Sequence, residues 1–112
     1  MDVAFDGIGE RAVTFLNDGA EGGAVVKVCG AGTVGPCSAG DCFDGVALFA
    51  ENGVAAVRLR GFASVAYSGT TPEIGHNALC ADGAGGVCVD AGGADYLAVA
   101  TDESAGTVTI LL

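Results

Sequence analysis

The sequence predicts an all-β fold: one small domain, a barrel or sandwich of short antiparallel strands with bulges and little or no helix. Three observations carry this expectation. Apolar residues recur with a period of two in short runs, the spacing of a strand with one buried face. Twenty glycines in 112 residues, far above the usual ~7%, separate those runs. No segment shows a helical stripe with a cap, and several short strands divided by turns imply a sandwich or a closed sheet.

The stretch from Asp44 to Ser68, DGVALFAENGVAAVRLRGFASVAYS, organises the rest. Asn52-Gly53 sits between two apolar runs, and both residues tolerate positive φ, so a two-residue hairpin turn is expected there. Before the turn, Val46, Leu48 and Ala50 alternate with Ala47, Phe49 and Glu51. After it, Ala55, Val57 and Leu59 alternate with Ala56, Arg58 and Arg60. Gly61 interrupts the second run before Phe62, Val65 and Tyr67, so a long hairpin whose second arm bends near Gly61 is predicted.

Residues 11–112 read as one β domain. Arg11 to Leu16 and Ala24 to Cys29 are strand candidates on either side of the polar turn Asn17 to Gly23, and Lys27 is expected to face solvent. Gly30 to Asp41 reads as a loop with a brief extended pairing at Thr33 and Val34. Gly69 to Asn77 is a second loop. Ala78 to Ala81 and Val87 to Asp90 flank the turn DGAGG, and Tyr96 to Thr101 and Thr107 to Leu112 flank DESAG. In the last strand Val108, Ile110 and Leu112 share a face, and closing the sheet hides its edges. Residues 1–10 lack a self-contained pattern and read as an N-terminal arm, flexible or reaching a neighbouring subunit. Phe5 and Ile8 are its candidate contacts.

Composition narrows the function. The chain is 51% hydrophobic, but has only five Phe, two Tyr and no Trp, so its core is expected to be thin and built from Ala and Val. A net charge of −10 repels phosphate backbones and anionic membrane surfaces. No apolar run approaches the ~20 residues that span a bilayer. The beginning of the chain has no basic region followed by an apolar core, so no signal peptide is expected and the cytosol is the default location.

Chemistry is sparse. The five cysteines, Cys29, Cys37, Cys42, Cys80 and Cys88, form no CxxC pair, and with a single histidine a tetrahedral zinc site has little support. They read as small buried hydrophobes; a Cys80–Cys88 bridge across a hairpin is the alternative under oxidising conditions. GAGTVG at Gly30 to Gly35 is not a nucleotide loop, because Pro36 and further turn residues follow where a helix is required. His76, in a loop, would need a pocket and an orienting group to act with Cys80 as a nucleophile pair. The acidic residues are dispersed among turns, without the regular spacing of a calcium loop. No catalytic, cofactor or metal residue is therefore assigned, and no enzyme is expected. Arg58 and Arg60 share a strand face and hold half of the four basic residues. They are either solvated or paired within the chain, or they meet acidic groups of a second copy.

The order GDCFDGVAL, VRLRGFASVAYSG, TPEIGHNALCADGAGGVCV, YLAVA and TVTILL, over roughly Arg11 to Leu112, resembles small bacteriophage and prophage capsid-accessory proteins. These form a glycine- and alanine-rich family encoded near head genes. The chain is also similar, more loosely, to lambda-type head decoration proteins, which form trimers on capsids. The resemblance implies a virion structural protein, a decoration or cement protein acting through protein contacts. It implies a homo-oligomer, with a trimer favoured, the phage major capsid protein as partner, and a path from the bacterial cytoplasm to the virion surface. The five cysteines depart from the family pattern and leave a redox role open. Two other classes remain: a small β-barrel module binding a peptide or carbohydrate, which an exposed cluster of Phe43, Phe49, Phe62, Tyr67 and Tyr96 would favour, and a Cys–His enzyme.

Overall fold

The computed structural model describes residues 11–112. In chain order its strands are β1 (Arg11–Asn17), β2 (Val25–Gly30), β3 (Thr33–Pro36), β4 (Gly45–Glu51), β5 (Val54–Arg60), β6 (Phe62–Ser68), β7 (Gly75–Ala81), β8 (Val87–Val89), β9 (Ala94–Asp102) and β10 (Thr107–Leu111). The described residues contain no helix, so the all-β expectation holds. The arm read at residues 1–10, with Phe5 and Ile8, lies outside the described residues.

The turn at Asn52-Gly53 forms as its chemistry dictates. Both residues take positive φ, 53° and 77°, and the chain reverses between β4 and β5 in two residues. The long second arm does not form. Gly61, at φ 104°, is the one residue between β5 and β6, and these two strands belong to different sheets. What reads as a bend in one strand is the crossover between two barrels.

Each barrel has five strands, in the order β1-β3-β2-β4-β5 for the first and β10-β6-β8-β7-β9 for the second. They are one topology built twice. In each, the first strand pairs in parallel with the third and antiparallel with the fifth. The second pairs with the third and fourth, and the fourth with the fifth, all antiparallel. Closure gives every strand a partner on each side, although the parallel joins β1–β3 and β6–β8 cover only two residues each.

The alternation read in β4 breaks at Leu48. A register shift between Ala47 and Phe49 leaves Leu48 extra, and Leu48 and Phe49 are both exposed. The alternation in β5 holds, with Ala55 and Val57 fully buried. The first barrel encloses Ala20, Val26, Val34, Ala47, Ala55 and Val57, as thin a core as the composition predicts. A larger cluster fills the second barrel around Leu79, Val65, Val108 and Ile110. It also takes in Val25, Cys37, Phe43 and Val46 from the first half, so the two barrels share it. Backbone bonds reinforce the join: Val25 N–H donates to the Gly85 carbonyl, Gly40 N–H to Ala81, Ala81 N–H to Asp41 and Leu112 N–H to Gly61, each at 2.9 Å. The face expected of Val108, Ile110 and Leu112 forms, with the first two inside the shared core and Leu112 packed against it.

Candidate functional site

The outer face of β1, β5 and β4 is read directly from its register. Leu16, Val54 and Glu51 form one row, Thr14, Ala56 and Phe49 the next, and Ala12, Arg58 and Val46 the third. The third row is the covered one: Val46 is buried in the shared core and Arg58 is half-buried, donating from Nη1 to the Phe62 carbonyl at 2.7 Å. The other rows are open, with Leu16 59% and Phe49 54% exposed. Two large apolar side chains therefore stand in solvent on a closed sheet.

At one end of the β1–β5 pair, Arg11 is directly opposite Arg60. Both are exposed. Three of the four basic residues of the chain, Arg11, Arg58 and Arg60, thus gather at one end of one strand pair in a molecule of net charge −10. Like charges directly opposite each other on a sheet are destabilising. The sequence pointed to Arg58 and Arg60 together. The structure divides them, with Arg58 bracing the crossover and Arg60 outward, and adds Arg11, which no local pattern brings to β5. Leu16 was likewise missed, and Phe49, named as a candidate only with the aromatic cluster, was not joined to it, because only the long-range pairing of β1 with β5 places them on one face.

The carboxylates of the segment Cys37 to Asp44 fasten it to β2, and backbone bonds between it and Ala81 join it to the second barrel. Asp41 accepts from Lys27 Nζ at 2.6 Å and from Ser38 N–H at 2.9 Å, and Asp44 accepts from Val28 N–H at 2.8 Å. Lys27 is therefore ion-paired, not directed freely into solvent. The hydrogen bond from Lys27, then that from Ser38, hold the Asp41 acid below its ordinary value, and the Lys27 ammonium is stabilised in turn. Burial pushes the Cys37 thiol up to about 11.

Behind this segment an open groove of about 490 Å³ is lined by Ala39, Gly40, Ser68, Cys80, Asp82 and Cys88, among others. Cys80 and Cys88 are direct cross-strand partners on β7 and β8, with Sγ atoms 3.5 Å apart, and Asp90 Oδ2 lies 3.5 Å from Cys80 Sγ. Both thiols are free. Cys80 is 2% exposed, while Cys88 is half-buried at the groove. Burial, then the hydrogen bonds to Cys88 and Asp90, push the Cys80 thiol up to about 12. Asp82 caps the turn beside them, accepting from Ser68 Oγ at 2.6 Å and from Ala84 and Gly86 N–H at 2.7 and 3.0 Å.

His76 pairs through Nδ1 with Asp95 Oδ2 at 2.8 Å, and the two side chains are 69% and 66% exposed. Cys80 is four residues further along the same strand, roughly 13 Å at the usual rise, so the two do not stand together as a nucleophile pair. The aromatic residues divide. Phe43 is buried and stacks on Tyr96 with ring centroids 4.8 Å apart, Tyr67 packs on the same core, and Phe49 alone of the five is largely exposed. Among the described residues no three His, Cys, Asp or Glu side chains are grouped as a metal site requires. No protein-family model matches the chain, and a search of curated proteins gives no match.

Proposed function

We propose that this chain is a structural accessory protein of a bacteriophage or prophage head, a decoration or cement protein that self-associates and binds the major capsid protein. The observation that carries the reading is the Arg11–Arg60 pair at one end of the β1–β5 pair, with the exposed Phe49 and Leu16 further along it, beyond the covered row of Ala12, Arg58 and Val46. Two arginines directly opposite each other on neighbouring strands are relieved by a carboxylate placed between them, and arginine forks match carboxylates bidentately. A chain with 14 acidic residues offers such carboxylates on every other copy. The open apolar rows further along the strands supply buried area, and the charged end supplies orientation and register. The resemblance to capsid-accessory proteins gives the reading its biological setting.

The test is the solution mass at micromolar concentration, followed by co-sedimentation with heads assembled from a phage major capsid protein encoded beside this chain. The expected result is a discrete oligomer, a trimer first among the alternatives, that sediments with the heads. A monomer at every concentration that stays in the supernatant overturns the reading.

A further inference from the structure

We propose that Cys80 and Cys88 form a thiol–disulfide exchange site whose substrate is a low-molecular-weight disulfide and whose product is an intramolecular staple between β7 and β8. The placement carries the inference. Directly opposite residues on antiparallel strands have Cα atoms ~4.5 or ~5.5 Å apart, and both separations lie within the span a disulfide bridges. The pair Cys80 and Cys88 is in such register, with its sulfurs already in contact at 3.5 Å.

The duplication of the fold isolates the feature. Counted from the inward-facing Val34 and Val87, the equivalent pair in the first barrel is Lys27 opposite Gly35. One barrel thus carries a dithiol at a position where the other needs no sulfur. The two thiols also differ in access as the reaction requires. Both line the open groove, but Cys88 is half-buried whereas Cys80 is almost wholly buried, its S–H donating to Asp90 Oδ2 and its sulfur against Cys88 Sγ.

The chemistry balances with the small disulfide as oxidant. Cys88 as thiolate attacks one sulfur of the disulfide, the small S–S bond breaks, and one small thiolate leaves and takes a proton. Cys80 then gives up its proton to solvent and attacks Cys88 Sγ. The mixed disulfide breaks, the second small thiol is released, and the Cys80–Cys88 bond remains. One small disulfide is reduced to two thiols and one protein dithiol is oxidised. The deep burial of Cys80 keeps it from reacting first, since the thiolate is the nucleophile. The inference does not depend on the capsid reading.

The test uses a Cys29→Ser, Cys42→Ser variant, because Cys29 and Cys42 are exposed and would take up adducts of their own. Five cysteines less these two leaves three thiols. After incubation with oxidised glutathione, the folded variant is expected to lose two hydrogens in intact mass, to carry no glutathione, and to retain one titratable thiol, that of Cys37. Three persisting thiols, or glutathione retained on the protein, overturn the proposal. Adding Cys88→Ser is expected to abolish the mass loss, and a disulfide formed without Cys88 also overturns it. The first measurement alters neither Cys80 nor Cys88, so it stands even if the Cys88→Ser variant fails to fold.

Discussion

Arg58 reaches past Gly61 and donates to the carbonyl oxygen of Phe62 at 2.7 Å, tying the last strand of the first barrel to the first strand of the second. Gly61, between them, carries a backbone conformation that a side chain would strain. A half-buried charged donor on a backbone carbonyl contributes more than a neutral hydrogen bond, about 1.5–3 kcal/mol. Arg58→Ala should therefore lower stability by that amount, read as a shift of the urea midpoint with an unchanged slope. Arg60→Ala removes the same charge from an exposed site and relieves a like-charge pair, so it should be neutral or stabilising by less than about 0.5 kcal/mol. Equal losses from both variants would show that Arg58 contributes only its charge.

Gly45 opens β4 against the backbone of β5. A Cβ built there would stand 2.6 Å from the Arg58 carbonyl oxygen and 2.7 Å from Val57 Cγ1, so backbone and core must both move to admit it. Gly45→Ala should destabilise by about 1–3 kcal/mol, the usual cost of overpacking. Gly30→Ala is the comparison. Its nearest neighbour would be Thr33 Cβ at 3.8 Å, so it should range from neutral to about 0.5 kcal/mol more stable through the unfolded chain. Thermal or urea unfolding of the two variants side by side distinguishes close approach from a general glycine effect.

The carboxylate of Asp82 links the groove to pH. Partial burial pulls its acid upward, but the bonds from Ser68, Ala84 and Gly86 outweigh this and hold it below the ordinary carboxylate value. A folded-state value below the unfolded one adds stability that is fully present above the ordinary value near 3.8 and is lost as pH falls through the lowered one. The urea midpoint of the native chain should fall further between pH 7 and pH 3 than that of Asp82→Asn, whose amide does not titrate. Parallel pH profiles would remove Asp82 as a contributor.

Local signals fix most of the elements and few of their partnerships. Asn52-Gly53 specifies its turn by φ alone, and the alternation Ala55, Val57, Leu59 identifies the buried face of β5. Those are properties of adjacent residues. The parallel pairing of β1 with β3 joins Leu16 to Thr33 and Asn17 to Val34 across an intervening strand, and nothing near either residue announces it. The duplication is equally hidden. RAVTFLN in β1 and FASVAYS in β6 share a role without sharing a pattern, because closure of a barrel constrains size and face rather than identity. Gly61 illustrates the limit, since a bend within a strand and a crossover between sheets have the same local chemistry. Cys80 and Cys88 could be read as a cross-strand pair because only a short glycine-rich turn separates them. Arg11 opposite Arg60 could not.

The exposed rows of the first barrel offer the sharpest mutational contrast. Leu16 and Phe49 face outward, and neither belongs to a buried core. Replacing Phe49 by Ser should leave the unfolding midpoint within about 0.5 kcal/mol of the parent, the range of surface substitutions. If this face meets a neighbour, truncating an aromatic anchor there should cost about 2 kcal/mol or more of association, some thirtyfold in dissociation constant. Arg60→Glu places an acidic group opposite Arg11. It should weaken association chiefly at low salt, because exposed charges are screened over a Debye length of about 10 Å at 0.1 M. Analytical ultracentrifugation at two ionic strengths separates the two contributions. Phe49→Ser should shift the assembly toward monomer at both strengths, and Arg60→Glu mainly at the lower. If both variants associate as the parent does, the interface lies on another face of the molecule.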